Sequence, residues 1–529
     1  MPRLARTATA LVACAIGVSG CGGGAHRPPP PAPSSRPSMQ TIFEADAQLR
    51  TDPVGTLDLL RRLGVARVKL YVPWSAVAPD PSSTTRPAGF DASNPQSYPA
   101  SNWTYYDTVV RDAAARGVGI DMTVGAPVPQ WATGQGAPPG ALPGVWKPSP
   151  TEYASFVNAL AVRYSGHYTP PGTSAPLPRV DFWAIWNEPN YGPQLAPQAI
   201  DHSTVEVSPA LYRGLANAAW SSLQRTGHGH DTILIGEIAP RGITTGDNPG
   251  NFSGMVPLRF VRALYCLDPS LHPLRGTAAT ERQCPASASA SSAFARQNPA
   301  LFRAGGFAVH PYPQGALAPN VVTPGEPDYA DLAALPRLET VLDTAQRAYG
   351  SNERLDLYST EFGYKTNPPF AAGVPLAQAP LYLNWSEYRS WLDPRIRSYN
   401  QYQLTDPPAS GHSQFDTGLE FADGTPKPTL AAFRLPVYLP VTHASADTPL
   451  AVWGCVRPAR YVSSPHPVRI ELRPTGATAF KLVEAVSIPD RDGYFLANVR
   501  FPSSGAVRLA WAYPGGSTVH SREVAISIS

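Results

Sequence analysis

Trp183-Ala184-Ile185-Trp186-Asn187-Glu188-Pro189-Asn190 decides the reading of this chain. An apolar run of strand type ends on a carboxylate, and a proline then forces the chain out of the strand. A second stretch has the same form: Leu357-Tyr358-Ser359-Thr360 ends on Glu361, followed by Phe362-Gly363. Carboxylates are rarely buried unless paired. One at the C-terminal end of each of two strands suggests the barrel whose active sites lie on that face.

Working outward, short apolar runs alternate with amphipathic helical patterns as far as about residue 435. Strands are expected at 41–43, 66–72, 119–124, 180–186, 232–235, 306–309, 355–359 and 398–403. Helices are expected at 56–63, 105–116, 151–164, 209–224, 256–264, 329–348, 378–392 and 427–433. Eight of each in alternation is the order of a (β/α)8 barrel. Insertions rich in Pro, Gly and Ser at 79–101, 134–150, 242–251 and 313–327 would shape a cleft on one face. Beyond Pro436 only short β-type runs separated by turns remain, the pattern of a small all-β sandwich. The expected division is a signal peptide at 1–20, a Pro-rich tether at 21–39, a barrel domain at 40–436 and a β-sandwich domain at 445–529.

The chain has 529 residues, 43% hydrophobic and 10% aromatic, enough for a large core. Its 42 basic and 39 acidic residues nearly balance, so no basic face points to nucleic acid. Arg3 and Arg6 precede an apolar run at 8–18 that is too short to span a bilayer and has signal-peptide length. Val18-Ser19-Gly20-Cys21 then resembles a bacterial lipoprotein signal, with Cys21 as the lipidated residue; ordinary cleavage at the same small residues is the alternative. Export and a lipid anchor on the outer side of the membrane are the expectation. The oxidising compartment this implies permits a disulfide between Cys266 and Cys284, which flank a Pro/Ala/Arg-rich loop. Cys455 is left as a buried thiol. No Cys/His spacing suggests a metal site, and no cofactor is expected.

Two strand-end carboxylates are the equipment for hydrolysing a glycosidic bond. Trp-Asn-Glu-Pro-Asn at 186–190 resembles the acid/base motif of retaining glycoside hydrolases of clan A, and Thr360-Glu361-Phe362-Gly363 resembles that clan's nucleophile motif. The likeness comes nearest to families 39 and 5, covers about residues 40–435, and extends to Leu63-Gly64-Val65-Ala66-Arg67-Val68-Lys69 with Trp74. The two glutamates lie 173 positions apart (361 − 188), which suits strands four and seven.

The resemblance implies Glu188 as acid/base, Glu361 as nucleophile, Asn187 on the sugar 2-hydroxyl and Tyr312 donating to Glu361. His310 would contact a sugar hydroxyl or the same carboxylate. Trp74 and Trp131 are candidate sugar platforms, with rim packing as the bland alternative; Tyr364 and Tyr402 are further rim candidates. Glu237 either binds substrate or pairs with Arg241, and Glu44 and Asp46 are equally open. Two departures stand out. Lys69 holds the second-strand place where the clan often has arginine, with Arg67 on the same side of the strand. The eighth strand ends Tyr399-Asn400-Gln401-Tyr402, without the usual tryptophan. A glycosidase acting on a poly- or oligosaccharide is therefore expected, with a non-catalytic carbohydrate-binding lipoprotein on the same barrel as the alternative. The sandwich would either bind glycan or pack structurally on the barrel.

Overall fold

The computed structural model describes residues 38–200, 203–243, 254–408 and 415–529. The expected leader, Cys21 and nearly all of the tether lie outside these residues, as does most of the 242–251 insertion. No helix among the described residues is long and apolar enough to cross a membrane.

Eight parallel strands close into a barrel in sequence order: β1 (Gln40–Glu44), β2 (Arg67–Pro73), β3 (Gly119–Gly125), β4 (Phe182–Ile185), β5 (Thr232–Ile238), β6 (Gly306–Val309), β7 (Leu357–Ser359) and β8 (Ile396–Tyr402). The last strand returns to the first, with Gln40 opposite Ser398 and Glu44 opposite Tyr402. The principal outer helices are α1 (Pro53–Arg62), α2 (Ala100–Ala115), α3 (Pro150–Arg163), α4 (Ser208–Arg225), α5 (Pro257–Leu264), α6 (Leu335–Ala348), α7 (Ala379–Leu392) and α8 (Pro428–Arg434). Their starts follow local chemistry. Proline opens α1 and α3, and the side chains of Asp52 and Ser149 accept the free N–H groups of Gly55 and Glu152.

Strand alternation sorts the residues into two cores. Val68, Leu70 and Val72 of β2, like Ile120, Met122 and Val124 of β3, face the helices in the large outer core. The alternate residues of the strands face the barrel axis. Ile42, Phe182, Ala184, Leu234, Ala308 and Tyr358 form a separate apolar plug there. Arg67 lies across Phe182, 4.6 Å from its ring centre, and bonds Asp181 at 2.7 Å. It shares the inward side with Lys69 as expected, but closes the N-terminal end of the barrel.

The segment expected as a plain loop between α5 and β6 contains four short helices, at Gly276–Glu281, Ala288–Ser291, Phe294–Gln297 and Pro299–Arg303. The Cys266–Cys284 disulfide staples it, and Cys455 is a buried free thiol. Helices this short lack the periodicity that would reveal them in sequence.

The β-region begins earlier than the expected boundary, with β9 (Val437–Tyr438) and β10 (His443–Ala444). β9 joins β11 (Leu450–Cys455) and β14 (Tyr494–Val499) in one sheet. β10 joins β12 (Val468–Pro474), β13 (Lys481–Val486), β15 (Gly505–Ala512), β16 (Thr518–His520) and β17 (Val524–Ile528) in the other. Both sheets share a core that includes Val452, Ile470, Phe495, Leu509 and Trp511. Residues Arg36–Ser529 form one compact unit. Trp453 of β11 packs against Tyr388 and Trp391 of α7. Arg457 forms a fully buried ion pair with Glu387 of α7, which also accepts from Tyr494 at 2.8 Å.

Candidate active site

Above the apolar plug the barrel axis becomes charged. Lys69 Nζ donates to Glu361 Oε1 at 2.8 Å and to Glu237 Oε2 at 3.0 Å. His310 Nε2 lies 2.9 Å from Glu237 Oε2, and its Nδ1 lies 3.0 Å from Glu188 Oε1 and 3.5 Å from Glu361 Oε2. Tyr312 donates its hydroxyl to Glu361 Oε2 at 3.1 Å. Glu188, His310 and Glu361 each place a ligand-type atom within 4.8 Å of the other two. The glutamates at the ends of β4 and β7 therefore face one another across a single small gap.

Local backbone explains how these side chains are aimed. The β5–β6 register shifts between Ile235 and Ile238, a bulge that turns Glu237 into the barrel. Gly236 adopts φ +104°, and a Cβ there would sit 2.6 Å from the Ala308 carbonyl oxygen. Glu237 itself has φ 50°, Trp186 φ 74° and Glu188 φ 41°. Left-handed non-glycine residues cost on the order of 1–3 kcal/mol each and cluster at functional sites. Here cross-loop bonds hold them. Glu188 N donates to Glu237 O at 2.8 Å, and Asn190 both donates to and accepts from the backbone of Ala239.

Charge sets the protonation pattern. Burial alone would raise the Glu361 carboxyl, but the His310 and Lys69 charges outweigh it and hold Glu361 below its ordinary value. Glu237, equally buried, is held at about 2, chiefly by Lys69 and then by His310. Burial disfavours the His310 imidazolium, yet the surrounding carboxylates, Glu361 first, raise it to about 10. Burial, then the Glu361 charge, pushes Glu44 well up. Burial with Glu237 nearby raises Asp121 to about 7. Glu237 and Glu361, both held below their ordinary values, face the two cations Lys69 and His310. The Glu188–His310–Glu361 trio also has metal-ligand spacing.

The expected site residues divide clearly. Glu188, Glu361, His310, Tyr312 and Lys69 converge. Glu237 is fully buried and pairs with Lys69 and His310 rather than with Arg241. Arg241 donates to the Tyr312 and Pro313 carbonyls instead. Trp74 is corrected too. It is fully buried, stacked on Phe156 at 5.1 Å, and leaves no face for a sugar. Trp131 meets Trp74 and Phe90 edge-on and bonds Pro79 O, and is only partly buried. Asn187 is half-buried at the end of β4, and its side chain makes no hydrogen bond among the described residues. Tyr364 is buried and donates to Leu317 O. Asp46 pairs with Arg50 and Tyr105.

Tyr402 forms a ring cluster with Tyr312 and Phe415, at 6.3 and 5.4 Å. This cluster stands where the eighth-strand tryptophan is missing. Sequence reading overlooked Asp121 and Phe415. Alternation along β3 places Asp121 inward, a signal that was available; nothing local marks Phe415.

No known family profile matches the chain, and neither does any curated protein. Among solved structures it is similar to a family 39 glycoside hydrolase from the gut symbiont Bacteroides cellulosilyticus WH2 (13% identity, 88% of this chain and 79% of that one, TM-score 0.45). It is also similar to the beta-glycosidase from the hyperthermophile Thermosphaera aggregans (15% identity, 76% and 95%, TM-score 0.44). A third is a family 1 beta-glucosidase from Thermotoga maritima (12% identity, 69% and 80%, TM-score 0.41).

Proposed function

We propose that the protein is a retaining glycoside hydrolase, with Glu361 as nucleophile and Glu188 as acid/base. The observation that carries this is the gap of no more than 4.8 Å between carboxylate oxygens of Glu188 and Glu361. Retaining enzymes hold their carboxyls about 5–5.5 Å apart, whereas inverting ones leave roughly 6.5–9.5 Å for a water.

In the first step a Glu361 oxygen bonds the anomeric carbon. The glycosidic C–O bond breaks, and Glu188 passes its proton to the departing oxygen. Glu188 Oε1 faces His310, which leaves Oε2 to carry that proton. Esterification consumes the Glu361 charge, so Lys69, His310 and Tyr312 then face a neutral ester. Their donors favour return of the carboxylate, which helps Glu361 leave in the second step. Glu188, now ionised, takes a proton from water as that water attacks the anomeric carbon. Asn187, with its amide uncommitted, is the group offered to the 2-hydroxyl.

Export and anchoring through Cys21 belong to the same proposal and rest on the sequence at 3–24. Following the hydrolysis of aryl glycosides by NMR tests the chemistry. The first-formed sugar is expected to keep the anomeric configuration of the substrate, and an inverted first product would refute double displacement. A non-catalytic sugar binder would show no turnover on a broad panel, and nothing in the geometry favours it over the enzyme.

A further inference from the structure

Among the described residues, two cations near the reacting carboxylates have no ion-pair partner. Arg241, three residues past β5, spends Nη1 on the carbonyls of Pro313 and Tyr312, at 3.0 and 3.4 Å. Its remaining N–H groups bond nothing among the described residues. Lys365, four residues past Glu361, holds its Nζ 4.9 Å from the Phe370 ring and 5.5 Å from the Phe415 ring. Phe415 in turn lies 5.7 Å from Tyr312, whose hydroxyl bonds the nucleophile. Both cations thus flank Tyr312.

Neither has a carboxylate oxygen within 4.0 Å among the described residues. Two acids face Arg241 from beyond ion-pair distance: Asp331, which is committed to Thr323 and Ala334, and Glu188. Asp416 faces Lys365 from beyond ion-pair distance. Burial, then the neighbouring Arg241 charge, holds the Lys365 ammonium below its ordinary value. Two half-buried like charges with no carboxylate in contact among the described residues cost free energy that an anion would recover. A guanidinium with free N–H groups suits an oxyanion.

We infer that the cleft recognises an anionic sugar, with Arg241 and Lys365 binding a carboxylate or sulfate substituent on the residue at or beside the scissile bond. This rests on the glycosidase reading for where the sugar lies, but it is tested by binding.

The probes are 4-nitrophenyl glycosides of glucose, glucuronic acid and glucose 6-sulfate, and of idose and iduronic acid, in both anomeric forms. They are titrated calorimetrically into full-length Glu361→Gln. At least one anionic probe is expected to bind 10-fold or more tightly than its neutral counterpart. That preference should shrink about 10-fold in backgrounds that also carry Arg241→Gln or Lys365→Gln, with neutral affinity unchanged, and fade in 1 M NaCl. The uronate and sulfate arms separate the two anions. Neutral probes bound as tightly as all anionic ones, or no probe bound, overturn the inference. Turnover by the unsubstituted protein is scored separately. Neutral glycosides hydrolysed without anionic preference refute this inference and leave the hydrolase standing. Anionic binding without any turnover refutes the hydrolase and leaves the site.

Discussion

Lys69 Nζ lies 2.8 Å from Glu361 Oε1 while holding Glu237 Oε2 at 3.0 Å, so one buried ammonium serves two carboxylates. Lysine is a compact point charge and can donate to two carboxylates at once, where a planar fork would favour a single one. The position usually filled by arginine is thereby tied to Glu237, which the β5 bulge supplies. Removing the ammonium leaves Glu237 buried beside one fewer cation and strips Glu361 of a stabilising charge. Lys69→Met is expected to cut kcat/KM at least 100-fold and to move its acid limb to higher pH. Stability should fall by about 3–5 kcal/mol, the usual result of breaking one side of a buried pair. A Lys69→Met variant whose acid limb stays in place would separate Lys69 from the nucleophile.

The two carboxylates have different assignments, and azide distinguishes them. Glu188→Ala is expected to lose activity most severely on alkyl or sugar leaving groups and far less on activated aryl ones, because only the former need a proton. Azide should restore turnover and give a glycosyl azide with the configuration of the substrate. Glu361→Ala should fail on every leaving group, and any azide product should be inverted. Product configurations opposite to these would exchange the roles.

Stability should depend on pH through Glu237 and His310. Glu237 sits at about 2 in the folded protein, against about 4.3 unfolded, because Lys69 and His310 overcome its burial. Its contribution is complete above about pH 5 and is lost as pH falls toward 2. His310 sits at about 10, against about 6.5 unfolded, because carboxylates led by Glu361 overcome its burial. Its contribution is complete below about pH 6 and drains away as pH rises to about 10. Melting temperature should therefore hold a plateau near pH 5–6 and decline on both sides. In His310→Gln the alkaline decline should be shallower. An unchanged alkaline slope in that variant would assign the decline to other groups.

Much of this was legible in the chain. The barrel showed because the strand and helix periods alternate eight times, and Glu188 and Glu361 showed because each ends a strand. Lys69 stood out as an oddity, but its pairing with Glu237 did not, since the bulge that turns Glu237 inward depends on strand register. Trp74 stayed open between a sugar platform and packing because a strand-end aromatic looks the same in sequence whether it lines a cleft or stacks on Phe156. β9 and β10, two residues each, are too short to carry a period. The cluster of Tyr312, Tyr402 and Phe415 draws on three distant segments.

Asp121 illustrates a cost borne by the site. It is fully buried inside the barrel, and neither carboxylate oxygen has a hydrogen-bond partner among the described residues. Burial first, then Glu237, raises it to about 7, against about 3.9 unfolded. A raised carboxyl favours the folded state at low pH and weighs against it as pH climbs through the folded value. Asp121→Asn is therefore expected to raise the melting temperature at pH 8, with the gain vanishing near pH 4. A melting temperature lowered equally at both pH values would mean that the carboxylate is needed as an acceptor.

The sandwich is joined to the barrel by a charge pair with no access to solvent. Arg457 reaches Glu387 of α7 and donates to Thr41 Oγ1 of β1 at 3.3 Å, while Tyr494 donates to Glu387. Trp453 covers the same helix. An interface this buried supports a structural role for the sandwich and argues that the two parts unfold together. Arg457→Met is expected to cost about 3–5 kcal/mol, because Glu387 remains buried without its partner. Arg457→Met with Glu387→Leu should regain much of the loss by removing both charges. Calorimetry of the unsubstituted protein should show one transition, which the single variant shifts down by several degrees. Two separate transitions, with only one moved by Arg457→Met, would show that the barrel stands without its β-domain.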